Sequence, residues 1–338
     1  MKQHQVTIKD IARMLGLSVS TVSRALKNHP DISVETRNQV IELAHKLNYE
    51  PNALALSLRK SRSNIIGVII PEIVHHFFAS VIGGIEDYAY SRGFKVMVCQ
   101  SNENYEREVL NAQALLSNRV DGLLVSLSKT SLNFDHFRNF INQGVPLVFF
   151  DRICPEIESH RVVTDDELGG FLATEHLIKT GCRNIAHFSA PQNLLIGQGR
   201  LLGYKKALHE YGLKLNESII VHCDTRESAL EKTASFVEQY PEVDAIFAVN
   251  DSTAIAVMQV LSRMGRAIPG KVSVIGFGDG PNALIATPPL TTIEQKGYAI
   301  GEEAVRLLIQ DITGEIPDAN FQHKVITPTL IVRESTRW

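Results

Sequence analysis

Ser20, Thr21, Ser23 and Arg24 crowd together in the stretch 7–26, TIKDIARMLGLSVSTVSRAL, with Lys27 just beyond and no acid between Asp10 and Asp31. These are hydroxyls and a guanidinium on a short polar stretch without carboxylates. They suit the base edges and phosphates of a duplex, which are read by hydrogen-bond donors and small polar groups. The apolar spacing says what would position them. Ile8, Ile11, Ala12 and Leu15 fall at i, i+3, i+4 and i+7, one stripe of a helix. Thr7 can cap that helix, with Asp10 at its positive end. Gly16-Leu17 breaks the pattern, Ser18 is a fresh N-cap, and Val19, Val22, Ala25 and Leu26 form a second stripe. Two short helices joined by a glycine-containing turn have helix-turn-helix spacing. On spacing alone, two ordinary surface helices of a helical subdomain are the other reading.

Pro30-Asp31 ends this pair. Ser33 can cap a third helix with Val40, Ile41, Ala44 and Leu47 on its inner face, and Asn48-Tyr49-Glu50-Pro51 stops it. Residues 52–60, NALALSLRK, place Leu54 and Leu58 one turn apart, too short a segment for a helix stable alone in water. It reads either as a linker or as a segment that folds only against a partner. Leucines beside Arg59 and Lys60 also fit a wedge into a minor groove.

A chain of 338 residues predicts about two domains with a small extra one. Its net charge of −3 is unevenly divided: residues 1–60 carry +4 and the remainder −7. A basic head on an acidic body expects a polyanion at one end only. Cys99, Cys154, Cys182 and Cys223 lack CxxC or Cys/His ligand spacing and read as small buried hydrophobes in a reducing compartment. No apolar run approaches a bilayer span and the N-terminus has no apolar signal core, so a cytoplasmic protein without membrane contact is expected.

From Asn64 onward, near-continuous apolar strands alternate with helical patterns. Strands are expected at 65–70, 95–99, 122–125, 146–150, 184–188, 219–222, 245–249 and 272–277. This texture predicts two tandem α/β subdomains, each a doubly wound parallel sheet, with a ligand cleft outside the carboxyl ends of the strands.

With these residues in view, the chain resembles bacterial transcription regulators of the lactose/galactose repressor (LacI/GalR) family, a helix-turn-helix head on a core like periplasmic binding proteins. The resemblance runs from Val6 to the end. It is carried by TIKDIARMLGLSVSTVSRALK (7–27), NYEPNALALSLR (48–59), RVDGLLV (119–125), GRLLGYKKAL (199–208), AVNDSTAIAV (248–257), SVIGF (273–277) and TPPLTTI (287–293). It implies a head at 1–50, a hinge at 51–62 and a core at 63–338. The core divides into an N-subdomain (about 63–162 and 293–325) and a C-subdomain (about 163–292 and 326–338).

The resemblance also implies a homodimer on a palindromic double-stranded DNA operator, a small effector in the cleft, and no cofactor. Val19, Ser20 and Arg24 match base-reading positions, Thr21 and Ser23 phosphate-positioning ones, and Leu58 the hinge leucine of the minor groove. Thr7, Asn28 and Arg59 complete the expected DNA-binding set. Phe77, Phe78, Asp151, Arg200 and Asn250 match cleft residues. Arg200 reads either as a ligand-binding fork or as a brace to the acidic wall. Asp251 is expected to cap the helix beginning at Ser252.

Relatives carry an acid after the GF of the SVIGF strand, where this chain has Gly278, so Asp279 is the substitute candidate. Leu194 and Ile196 stand where nucleobase-binding relatives place polar groups. The chain ends at Trp338 without a heptad tail, which expects a dimer rather than a tetramer.

Other motifs fall short. Gly276-Phe277-Gly278-Asp279-Gly280 continues into Pro281-Asn282 and lacks a ribose-binding acid at the right distance, so it is no dinucleotide loop. Gly197-Gln198-Gly199 is equally incomplete. His75-His76 is not a metal pair, since adjacent residues point apart. Thr164-Asp165-Asp166-Glu167 reads as a cap with dipole complement. No catalytic constellation appears. A solute-binding protein lacks a reason for the basic head, and an enzyme lacks a nucleophile or metal set.

Overall fold

The computed structural model describes residues 6–47, 49, 62–317 and 320–338. The chain divides into two compact units, 1–64 and 65–338. The expected hinge contacts Leu58 and Arg59 lie outside the described residues.

The first unit holds α1 (Ile8–Leu15), α2 (Val19–Ala25) and α3 (Val34–Lys46). The Asp10 carboxylate accepts hydrogen bonds from the Thr7 amide at 3.0 Å and the Thr7 hydroxyl at 2.7 Å, closing a capping box. Gly16 ends α1, and the Ser18 hydroxyl oxygen accepts from the Thr21 N–H at 3.1 Å to start α2. Ile11, Ala12, Val22, Ala25, Val40 and Ala44 form the buried centre. Val19 departs from the expected stripe. It sits in the first turn, roughly 60° round the helix from Val22, and is 41% exposed.

The second unit is built on two six-stranded sheets. The first has the order β11-β5-β4-β3-β1-β2 and the second β12-β10-β9-β8-β6-β7. In chain order the strands of the first are β1 (Ile65–Ile70), β2 (Lys95–Gln100), β3 (Gly122–Val125), β4 (Leu147–Phe150), β5 (His160–Thr164) and β11 (His323–Ile326). Those of the second are β6 (Ile185–Ser189), β7 (Ile220–His222), β8 (Ala245–Ala248), β9 (Ser273–Gly278), β10 (Thr291–Glu294) and β12 (Thr329–Ile331). Every pairing is parallel except β10 with β12.

Helices cover both faces, so central strands such as β1, β3 and β4 are apolar from end to end, while the edge strands β2 and β11 keep exposed residues. On the first sheet, α4 (His76–Ser91) and α12 (Gly297–Thr313) pack over Ile66, Val68 and Ile70, while α5 (Tyr105–Ser117) and α6 (Asp135–Asn142) pack over Ile69, Leu123 and Val125. On the second, α7 (Asp166–Lys179) and α8 (Leu195–Glu210) cover Phe247 and Ile275. The opposite face, Ile246 and Val274, is covered by α9 (Arg226–Gln239), α10 (Asp251–Arg263) and the short α11 (Pro281–Ile285).

The described chain passes between the lobes at residue 165, at 295–296 and at 327–328, because β5 runs to Thr164, β10 to Glu294 and β11 to Ile326. These crossings lie one to three residues beyond the expected subdomain boundaries.

Candidate functional site

In the head, Ser20 and Arg24 are exposed, Thr21 and Ser23 half-buried, and Thr7 and Asn28 exposed. Val19, Ser20, Thr21, Ser23 and Arg24 give α2 a hydroxyl-rich surface, while Thr7 caps α1 and Asn28 follows α2. The Ser18 hydroxyl lies 2.7 Å from that of Ser20 and 2.8 Å from that of Thr21, which fixes the first turn of the helix. Arg24 makes an exposed ion pair with Asp31 at 3.9 Å, a contact worth little against a phosphate or a guanine.

In the core, the carboxyl ends of the two sheets bring their charged groups together. Asp151 follows β4 with φ +58° and is 6% exposed. The Ser126 hydroxyl donates to its Oδ2 at 3.4 Å, and Arg152 Nε lies 4.0 Å away. Burial pushes the Asp151 carboxyl up to about 6. Arg152 and Arg200 oppose that rise and Asp166, on the other lobe, adds to it.

Arg200, on α8, is 5% exposed. Its Nε donates to Asp166 Oδ1 at 2.8 Å, its Nη1 to the Val249 carbonyl at 2.6 Å, and its guanidinium lies 3.7 Å from the centre of the Phe277 ring. Gly170 of α7 lies against the Arg200 backbone, where a Cβ would collide with the Arg200 carbonyl. Burial raises the Asp166 carboxyl, against the pull of Arg200. Arg200 is therefore a brace, and its second Nη makes no hydrogen bond to a described residue.

Other expected cleft residues are differently placed. Phe77 lines a cavity of about 300 Å³ together with His76, Ser80, Gly278, Asp279 and Lys296. Phe78 is 3% exposed and belongs to the core, edge-on to Phe77 with ring centres 5.2 Å apart. Asn250, not Asp251, caps α10. Its Oδ1 accepts from the Thr253 N–H at 2.8 Å and its Nδ2 donates to the Asp224 carbonyl at 2.8 Å, so both ends of the amide are occupied.

Asp251 is instead a half-buried brace that accepts from the Thr292 hydroxyl and the Gly280 N–H, with its carboxyl raised by desolvation. Gly278 has φ +139°, and a Cβ there would stand 3.3 Å from Asp251 Oδ2. An acid at 278 would be strained and would face a second carboxylate. Asp279 is held by Arg333 Nη2 at 2.7 Å, so its carboxylate already has a charged partner.

Two polar groups were not apparent in the sequence. Asp166 hid inside a capping motif, yet Asp165 is the cap, accepting from the Leu168 N–H at 2.9 Å. Gln295 lies at a lobe crossing and is 6% exposed. Its signal, one amide after a strand, is shared with many surface positions. Among the described residues no group of three His, Cys, Asp or Glu could hold a metal, and no helix is long and apolar enough to cross a membrane.

A three-helix head followed by two parallel-sheet lobes with a charged cleft is the build of a DNA-binding regulator with a small-molecule sensor. Residues 7–52 match the family described as "Bacterial regulatory proteins, lacI family", and residues 174–336 match a periplasmic binding protein-like domain. A ribose operon repressor of Halalkalibacterium halodurans is 33% identical over 98% of this chain and 97% of its own length. The transcriptional repressor PurR of Vibrio vulnificus is 32% identical over 98% of each chain. A solved lac repressor dimer bound to operator and the anti-inducer ONPF superposes with a TM-score of 0.85 at 26% identity, covering 99% of this chain and 100% of that one. The chain belongs to the lacI family of bacterial regulatory proteins, which are transcriptional regulators and not enzymes.

Proposed function

We propose that this regulator is a cytoplasmic repressor that binds a palindromic operator as a homodimer, and that a sugar or related polyol in the interlobe cleft controls its grip. The observation that carries the effector class is the Arg200–Asp166 pair with Asp151 beside it: two buried carboxylates and one guanidinium. Hydroxyl groups of a polyol both donate and accept, so they can answer each of these groups and the Gln295 amide without bringing in a charge. The ribose operon repressor name of one relative supports a sugar. A nucleobase is the other effector class, but Leu194 and Ile196 offer no hydrogen bonds to a base.

Ser20, Val19 and Arg24 read bases, Thr7, Thr21, Ser23 and Asn28 position the helix on phosphates, and Leu58 with Arg59 engages the minor groove. Arg24 on a guanine is the strongest of these specificity contacts. Closing or opening the cleft turns the lobes against one another. That motion sets whether two heads in a dimer stand in register on the two half-sites. Effector and operator are then reciprocally linked, by a coupling of about 1–3 kcal/mol. An effector that favours the DNA-competent arrangement is a corepressor, and one that favours the other is an inducer. Calorimetric titration with neutral sugars, sugar phosphates and purines tests the class. Binding of a neutral sugar, weakened about tenfold in Asp151→Asn, supports it; binding of a purine and of no sugar overturns it.

A further inference from the structure

The mouth of the cleft is bridged by contacts that the effector site leaves unused. Lys129, in the turn after β3, reaches the opposite lobe twice. Its Nζ lies 3.5 Å from Asp224 Oδ2, beyond β7. Its carbonyl accepts a 2.9 Å hydrogen bond from Asn193 Nδ2, ahead of α8. Neither side is loosely held. The Lys129 N–H donates to Glu103 Oε2 at 2.8 Å, and Arg152 Nη1 holds the same carboxylate at 2.8 and 2.9 Å. Buried Glu108 fixes the turn again, accepting from the Ser128 N–H at 2.8 Å and the Ser131 hydroxyl at 2.6 Å. On the other lobe, the Asp224 carbonyl is held by Asn250, and its Oδ1 lies 3.5 Å from His222 Nε2. The Lys129 and Asp224 side chains are 32% and 18% exposed, so water screens the pair only in part.

We propose that Lys129 is a strap across the cleft mouth that presets lobe closure in the ligand-free protein, a regulation of the effector site that rests on the reading above. Both anchor points are built before the strap forms: carboxylates of the first lobe fix the backbone of Lys129, and the cap of α10 fixes that of Asp224. Holding two prepared surfaces together costs little ordering entropy, so even a modest ion pair shifts the balance between open and closed arrangements. Arg152, which steadies Glu103, directly follows Asp151. The cleft floor and the strap therefore share one chain of contacts.

Hydrogen–deuterium exchange on the full-length, ligand-free chain tests the strap. Lys129→Met keeps the apolar stem and the backbone bond to Glu103 but removes the charge. It should speed exchange about two- to fivefold in the segments 190–196 and 222–226 of the opposite lobe, the size of a partly screened ion pair. Asp224→Asn should produce the same acceleration in 126–131. Reciprocal acceleration supports the strap. Acceleration confined to the mutated side, or none, overturns it. No sugar enters this experiment, so reciprocal exchange in a chain that binds no sugar would keep the strap and sink the effector class.

Discussion

Asp151→Asn exchanges a buried carboxylate for an amide of the same shape, at a φ of +58° that Asn tolerates as readily as Asp. In the folded protein burial lifts this carboxyl from 3.8 to about 6. The folded state therefore binds the proton more tightly than the unfolded chain does. Asp151 contributes stability that is fully present below about pH 4 and is lost as pH rises through about 6. A difference of about two pH units corresponds to roughly 3 kcal/mol. Asparagine has no such dependence. Urea denaturation of both proteins across this range should show the stability difference, variant minus wild type, climbing with pH and levelling above about 6, up to roughly 3 kcal/mol in favour of the variant. Sugar affinity should move the other way, falling about tenfold with the loss of a charge-assisted hydrogen bond. A stability difference that is flat or falls with pH would refute the burial argument.

Arg200→Ala should destabilise the core by about 3–5 kcal/mol in urea, because it strands the Asp166 carboxylate. The pair Arg200→Met with Asp166→Asn should cost less than that single change. Ile11→Ala opens a cavity at a site with no exposure. It should cost about 2–5 kcal/mol, abolishing operator binding in a gel shift while calorimetry finds the 65–338 transition unmoved. Arg24→Ala removes a side chain that is 57% exposed, so the melting temperature should stay fixed. Operator affinity measured by anisotropy should fall by about 1–3 kcal/mol, with relaxed preference at one base pair.

The head and the early strands were readable because local signals there agree with the tertiary answer. Thr7, Ser18 and Ser33 sit at the starts of the three helices, and IIGVII and GLLV are strands from end to end. β5 was missed because HRVVT alternates buried and half-buried residues instead of reading as a continuous apolar run. The segments after Gly278 were missed because their partners are far away in sequence: β10 pairs with β12, and α12 leaves the second lobe to pack on the first. The cleft was legible as a set of residue types and not as a set of roles. Arg200 and Asp151 lie at the carboxyl ends of the sheets and Phe77 lines a cavity, but Phe78 went to the core and Asn250 to a cap. Asp166 took the charge role because α7 and α8 happen to cross at Gly170. Which of several adjacent acids caps a helix and which turns inward depends on packing, which local spacing does not encode.

The central claim is that the basic head reads a sequence and that the cleft controls the reading. Selection of bound duplexes from a random pool by the full-length chain, repeated with D-ribose and then with other neutral sugars, tests it most directly. The account predicts enrichment of one two-fold symmetric sequence, with affinity that changes several-fold in the presence of one sugar. A pool that stays random in low salt, or an enriched sequence whose affinity no sugar alters while one binds the core, would contradict it.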